Sequence, residues 1–214
     1  MTLQKDDKTV KKLVALTFDD GPNTDTTPLI LDKLQQYGIT ASFFICGCHI
    51  NEDTKNIMAR QLTLDCELEN HSWSHSNMSI MLPEDIREEI AQTNNKIFEM
   101  VGVKPKFFRP PYILTSPVMF DLIELPFING VACSDWEAEV GVEDRVSTLL
   151  TNVNDGDIIL LHDFSGNVNT VNAMDQIITG LLDKGFAFVT VSKLFSDKGV
   201  DSKVKHKLWT NVYQ

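Results

Sequence analysis

The feature that most constrains the fold is an alternation of short apolar runs with helical patterns along nearly the whole chain. Near-continuous apolar strands separated by helices are typical of a parallel sheet whose faces helices cover. About seven such units in 214 residues predict a small (β/α) barrel, an α/β fold with its helices outside. A doubly wound open sheet is the alternative.

The clearest helix is predicted over 82–102, where Pro83 begins the helix, acids occupy the first turn and Gly102 follows the end. The absence of a Pro/Gly-rich linker predicts one domain over 13–195, with polar terminal segments at 1–12 and 196–214. The predicted strands lie at 13–18, 39–47, 63–69, 105–110, 127–133, 155–164 and 186–195.

Charge and hydropathy restrict the partners. The net charge of −11 argues against a nucleic acid, which requires a basic surface, and against electrostatic docking on an anionic membrane. No apolar run approaches the roughly 20 residues that span a bilayer, so no integral membrane segment is predicted. The first twelve residues are polar and unlike a signal peptide.

The four cysteines follow no CxxC pattern and are too few for a disulfide scaffold. Free cysteines are commonly buried, so we interpret Cys46, Cys48, Cys66 and Cys133 as apolar strand residues. A disulfide from Cys46 or Cys48 to Cys66 is the alternative, which leaves the redox compartment open.

Polar clusters follow the predicted strands directly. In (β/α) barrels the carboxyl ends of the strands carry the functional residues, so these clusters are expected to face one rim. The five clusters are "TFDD", "NHSWSH", "RPPY", "SDW" and "LLHD".

The first two clusters contain metal-ligand types. His71 and His75 are four residues apart, and in a helix both imidazoles would point to one side and share a metal ion. Asp20 is a candidate third ligand, which leaves Asp19 as a free carboxylate suited to act as a general base. A turn formed by "DDGPN" and two surface histidines are the simpler alternatives.

The other clusters supply acid–base and wall residues. Arg109 is a permanent cation that can orient an acid across the rim. His162 can change protonation near neutral pH, and pairing with Asp135 would fix its tautomer and raise its pKa. Trp136 adds a large apolar surface.

In this order the clusters resemble the polysaccharide deacetylases of carbohydrate esterase family 4, which include chitin and peptidoglycan deacetylases. The resemblance covers residues 17 to 162, and the later βα units fit the family's distorted barrel. The matching motifs are "TFDDGP" (17–22), "HSWSH" (71–75), "RPPY" (109–112), "SDW" (134–136) and "LLH" (160–162).

The resemblance implies a role for each motif residue. Asp19 would be the general base, oriented by Arg109. A divalent metal, zinc with cobalt as the alternative, would be bound by Asp20, His71 and His75.

The remaining motifs would complete the catalytic site. The backbone N–H of Tyr112 would help to bind the oxyanion. Asp135 would tune His162, the general acid that protonates the departing amine. Trp136 and Leu160 would form the walls around the acetyl methyl group, and Tyr112 would also contact substrate.

The implied function is metal-dependent hydrolysis of N-acetyl groups on an N-acetylglucosamine-containing glycan, chitin or a chitooligosaccharide, with release of acetate. The family's habit of acting on walls implies an extracellular or cell-wall location. A related amidohydrolase acting on a small non-glycan amide is a further alternative.

Three positions depart from the family pattern. Ile113 replaces the glycine that usually follows the motif tyrosine, and Ala132 replaces a common aspartate. Glu69 stands where glycine is frequent and could perturb the ligand loop or compete for the metal. These departures raise the alternative of a catalytically impaired homologue with a structural or binding role at a glycan wall.

Overall fold

A central parallel strand organises the sheet of the computed structural model, which describes residues 11–214. The first strand pairs in parallel with the second and the sixth, and its first half pairs with the seventh. The strands are β1 Lys12–Asp19, β2 Ser42–Ile45, β3 Glu67–Asn70, β4 Phe127–Ile128, β5 Val131–Ala132, β6 Ile158–His162, β7 Phe186–Val189 and β8 Leu208–Trp209.

Helices follow most of the strands, as the alternating pattern predicts. Their apolar stripes pack on the sheet and form the largest core cluster with the side chains of β1, β2 and β6. The helices are α1 Thr26–Tyr37, α2 Glu52–Thr63, α3 Pro83–Val101, α4 Pro117–Leu122, α5 Val142–Asn152, α6 Val168–Asp183 and α7 Val191–Lys198.

The sheet has the strand order β3-β2-β1-β6-β5 and bends into a distorted barrel. Phe108 bridges β3 to β4 through Asn70 and Phe127. The parallel α/β barrel prediction is therefore confirmed, with eight short strands among the described residues instead of about seven. The register places Asp19 opposite His162 at the carboxyl ends of β1 and β6.

Three predicted strands differ from the structure. The strand over 105–110 contributes only the Phe108 bridges, and that over 127–133 divides into β4 and β5. The strand over 186–195 stops at Val189 because Thr190 caps α7, whose apolar residues recur at helical spacing.

The C-terminal residues are part of the packed structure. The segment 196–214 is predicted as a polar terminus, but β8 pairs in parallel with β4, and Trp209 and Val212 are buried. The domain therefore extends beyond the predicted boundary at residue 195. Of the predicted N-terminal segment 1–12, residues 1–10 lie outside the described residues.

Two further sequence expectations concern helices and thiols. The helix predicted over 82–102 is confirmed as α3, which ends at Gly102 with a φ of 76°. All four cysteines are free thiols, and Cys46, Cys66 and Cys133 are buried as expected. The expectation is wrong for Cys48, which is exposed, and none of the four lies within a strand. Across residues 11–214, none of the helices combines the length and apolarity that crossing a bilayer requires.

Candidate active site

A cavity of about 600 Å³ opens at the carboxyl ends of the strands. All the strand-end clusters contribute to it or to its supporting hydrogen bonds, as expected for a barrel rim. Its lining residues are Asp19, Asp20, His71, His75, Pro110, Tyr112, Ile113, Asn129, Ala132, Trp136, Leu160 and His162.

Asp20, His71 and His75 converge in this cavity. The Oδ1 atom of Asp20 is 3.4 Å from Nε2 of His71 and 3.3 Å from Nε2 of His75. One ligand atom from each of the three residues lies within 4.8 Å of the others. The helical basis of the HxxxH expectation is wrong, because residues 71–77 form a loop with positive φ at Ser72 and His75.

The orientation of His71 suits a metal ligand. Its Nδ1 lies 2.7 Å from the backbone oxygen of Arg109, and a carbonyl oxygen only accepts, so Nδ1 carries the proton. Nε2 is then free to bind a cation beside Asp20. A carboxylate with two imidazole nitrogens is a donor set suited to zinc or cobalt, so these residues fit a divalent metal.

Asp19 is held behind this cluster by a buried ion pair. Its Oδ1 accepts a hydrogen bond of 2.5 Å from Nη1 of Arg109, which is fully buried. The same guanidinium donates to Thr17 and to the backbone oxygen of Asn129, and stacks 4.0 Å from the Phe44 ring. Several contacts therefore fix the cation that orients Asp19.

His162 faces the cavity from β6 and is paired with Asp135. Their Nδ1 and Oδ1 atoms are 2.8 Å apart, and the second Asp135 oxygen accepts from the His162 backbone N–H and from Thr170. Burial lowers the pKa of His162, but the hydrogen bond and charge of Asp135 outweigh it and raise that pKa to about 9. The imidazole is therefore protonated near neutral pH.

Apolar and aromatic residues form the walls. The Trp136 ring meets His162 edge-on with centroids 5.5 Å apart, and Tyr112 meets His75 similarly at 4.7 Å. Trp136 is 49% exposed and Tyr112 63% exposed, whereas Leu160 is buried. The cavity thus has apolar and aromatic walls beside the polar cluster.

Two of the three departures leave the site intact. The Glu69 carboxylate turns toward the backbone N–H groups of Lys106 and Phe107, at 2.6 and 2.7 Å, so it does not compete for a metal. Ala132 lines the cavity and is not one of the three clustered residues. A catalytically impaired homologue is not supported by either position.

The third departure carries backbone strain. Ile113 has a φ of 57° directly after Tyr112 at 58°, as the missing glycine predicts. Left-handed backbone costs a side-chain-bearing residue about 1–2 kcal/mol, and a β-branched residue is the least suited to it.

Replacing Ile113 with glycine is therefore expected to leave stability unchanged or to raise it by up to about 1 kcal/mol, since relief of strain outweighs glycine's entropy. For a domain of this size that is a rise of up to about 2–4 °C in Tm. Thermal unfolding with Ile113→Ala as the control measures it. A glycine variant less stable than the alanine variant would contradict the strain.

Asp163 is a supporting residue that the sequence analysis missed. Its backbone N–H donates to the Asp19 oxygen at 2.9 Å, and its carboxylate accepts from Thr27. A Cβ on Gly21 would lie 2.3 Å from this carboxylate, so only glycine fits in the loop after Asp20. Its position directly after His162 at a strand end was the available signal.

The fold and this cavity together define an α/β barrel protein with a three-ligand metal-type cluster beside a buried carboxylate and a histidine–aspartate pair. The family model for polysaccharide deacetylase matches residues 6–123, more than half of the chain. The chain belongs to the polysaccharide deacetylase family.

Known proteins of this family are similar over most of the chain. A bifunctional xylanase/deacetylase of Pseudobutyrivibrio xylanivorans is 48% identical over 202 residues, which are 94% of this chain and 33% of that protein. The peptidoglycan-N-acetylglucosamine deacetylase PgdA of Listeria monocytogenes is 31% identical over 189 residues, covering 87% of this chain and 40% of PgdA. The chain therefore spans well under half the length of these two relatives.

A solved structure matches nearly end to end. A family 4 acetyl xylan esterase from Clostridium thermocellum, in complex with a cobalt ion, superposes with a TM-score of 0.92 at 42% identity. The match covers 95% of this chain and all of that one.

Proposed function

We propose that this protein hydrolyses acetyl groups on an acetylated polysaccharide, and that it does so with a divalent metal. One observation carries the proposal: the Asp20–His71–His75 cluster, the buried Asp19 carboxylate and His162 all meet in one cavity. Family membership supports the same reaction class. The metal would be zinc or cobalt, held by those three residues.

The bound ion would polarise the acetyl carbonyl and promote ionisation of a water molecule. Asp19 would take the proton from the attacking water, because its ion pair with Arg109 holds Oδ1 while Oδ2 lies 3.6 Å from Nε2 of His71, beside the cluster. The backbone N–H of Tyr112, at the cavity wall, would donate to the oxyanion.

His162 would protonate the leaving group. Its hydrogen bond with Asp135 fixes the Nδ1 proton and leaves Nε2 to deliver a proton into the cavity. A departing amine needs this proton because the amide anion is a very poor leaving group. Trp136 and Leu160 would enclose the acetyl methyl group on the apolar side of the cavity.

The substrate proposed from the motifs is an N-acetylated glycan of the chitin type, and PgdA by name acts on peptidoglycan N-acetylglucosamine. A second candidate is an O-acetylated xylan. It is favoured by the names of the 48% identical xylanase/deacetylase and the 42% identical acetyl xylan esterase. Either polymer would place the protein outside the cell or at a cell wall.

The two substrates differ in how strongly they depend on His162, because an alkoxide leaves far more readily than an unprotonated amine. His162→Asn is expected to reduce N-deacetylation of chitooligosaccharide by about 10²–10⁴-fold and ester cleavage of acetylated xylan by less. Acetate release from both substrates measures this. Release from neither by the metal-loaded protein would contradict the proposed function.

The pairing with Asp135 predicts a pH dependence. His162 acts in its protonated form, so kcat/KM should fall as pH rises through about 9. Removing the Asp135 charge lets burial lower the pKa of His162, so the alkaline limb of Asp135→Asn moves to lower pH. Profiles of kcat/KM against pH locate the alkaline limb in the unaltered protein and in Asp135→Asn. An alkaline limb that stays at the same pH in Asp135→Asn would contradict this role.

A further inference from the structure

His49 lies behind the proposed metal cluster, outside the catalytic cavity. It ends the 3₁₀ turn Gly47–His49 that follows β2. Its Nδ1 is 2.7 Å from the backbone oxygen of Asp20. A carbonyl oxygen only accepts, so the imidazole donates this hydrogen bond.

The Asp20 backbone requires support. Its φ is 77°, in the left-handed region that costs a side-chain-bearing residue about 1–2 kcal/mol. This turn of the chain carries the Asp20 carboxylate to within 3.4 Å of both His71 and His75. The orientation of the Asp20 peptide therefore decides whether the carboxylate joins the two imidazoles.

Two donors from the segment after β2 hold this peptide and the next one. His49 donates to the oxygen of Asp20, and the backbone N–H of Cys46 donates to the oxygen of Gly21 at 3.0 Å. The Cys46 bond uses the backbone and does not depend on the side chain. The His49 bond does, so a substitution at His49 removes this donor from the Asp20 turn.

His49 is itself fixed by the start of α2. Its backbone oxygen accepts from Thr54 Oγ1 at 3.0 Å and from Asn51 Nδ2 at 3.3 Å, and its N–H donates to Cys46. Asn51 also caps the helix. These hydrogen bonds fix the backbone of His49, although its side chain is exposed to solvent.

We propose that His49 is a positioning residue for the metal ligand Asp20, and that its hydrogen bond to the Asp20 carbonyl sets the affinity of the site for a divalent cation. The inference rests on the proposed function, because it presumes the Asp20–His71–His75 metal site. His49 lines a separate polar recess of about 330 Å³ and does not line the catalytic cavity. Water can reach this recess, so losing the side chain leaves the Asp20 oxygen hydrated.

The test is calorimetric titration of zinc into metal-free protein. His49→Ala is expected to weaken zinc binding by about 10–100-fold, the range found for outer-shell partners of ligands. Its Tm without metal should stay within about 2 °C, since the residue is exposed. His49→Asn should restore most of the affinity, because the asparagine amide nitrogen occupies the place of Nδ1.

The matched control is His206→Ala. His206 is also an exposed histidine bonded to one acceptor, the Asp121 carboxylate, and it lies outside the catalytic cavity. This variant should bind zinc like the unaltered protein.

Equal zinc affinity in His49→Ala and the unaltered protein would overturn the positioning role while leaving the proposed function standing. An asparagine variant as weak as the alanine variant would also overturn it, since the hydrogen bond would then not be the cause. Absence of zinc binding by the unaltered protein would overturn both.

Discussion

Asp19→Asn is expected to reduce kcat/KM for acetate release by about 10²–10⁴-fold while the protein still binds one metal ion per chain. The amide keeps the shape of the carboxylate but cannot accept the proton of the attacking water. The proposed metal ligands Asp20, His71 and His75 are untouched. Steady-state kinetics measure the loss of kcat/KM, and elemental analysis measures the metal content.

The same substitution has a separate structural effect. It leaves the fully buried Arg109 without its counter-ion, and breaking a buried pair costs about 3–5 kcal/mol. Activity must therefore be measured well below the Tm of the variant. The matched control is Asp32→Asn, which removes an exposed carboxylate that pairs with Arg60. Full turnover by folded, metal-loaded Asp19→Asn would refute its role as the base.

His75→Ala is expected to weaken zinc binding by at least about 10²-fold and to abolish acetate release at equimolar zinc. Removing a ligand should cost at least as much affinity as removing an outer-shell partner. The side chain is 28% exposed, so the fold should survive. Zinc titration and acetate release measure the effect, and restored activity at high zinc would fit weakened binding. Unchanged zinc affinity would show that His75 is not a ligand.

The sequence predicted which side chains lie together at one rim better than it predicted the strands around them. Strand-end placement is a topological rule, so Asp19, His162 and Arg109 could be assigned to one rim without knowing any distance. The HxxxH spacing would bring the two imidazoles together in a helix, but here a loop with positive φ at Ser72 and His75 does so. Such a loop follows from tertiary hydrogen bonds that local periodicity does not encode.

The strand errors have a common physical origin. Val191, Leu194 and Phe195 are buried apolar residues that read equally well as a strand or as one face of a short helix. The side chain of Thr190 caps the N-terminus of α7, and this cap favours the helix over the strand. Similarly, the polar sequence of residues 196–214 hides the pairing of β8 with β4, which buries Trp209.

The residues that hold the functional groups were harder to predict than the groups themselves. Asp163 holds Asp19 through its backbone N–H, and Thr170 donates to the Asp135 carboxylate from within α6. His49 lies in the turn Gly47–His49 after β2, which ends at Ile45, and was not among the strand-end clusters. Contacts of this kind depend on the register between β1, β2 and β6, which only the structure gives.

Zinc titration of the metal-free protein, with acetate release followed at each addition, tests the central claim most directly. Acetylated chitooligosaccharide and acetylated xylan are the two substrates. Metal-dependent deacetylation predicts no release without metal and a rise to a plateau at one zinc per chain on at least one substrate. Release that is already maximal without metal, or absent from both substrates at saturating zinc and cobalt, would contradict it.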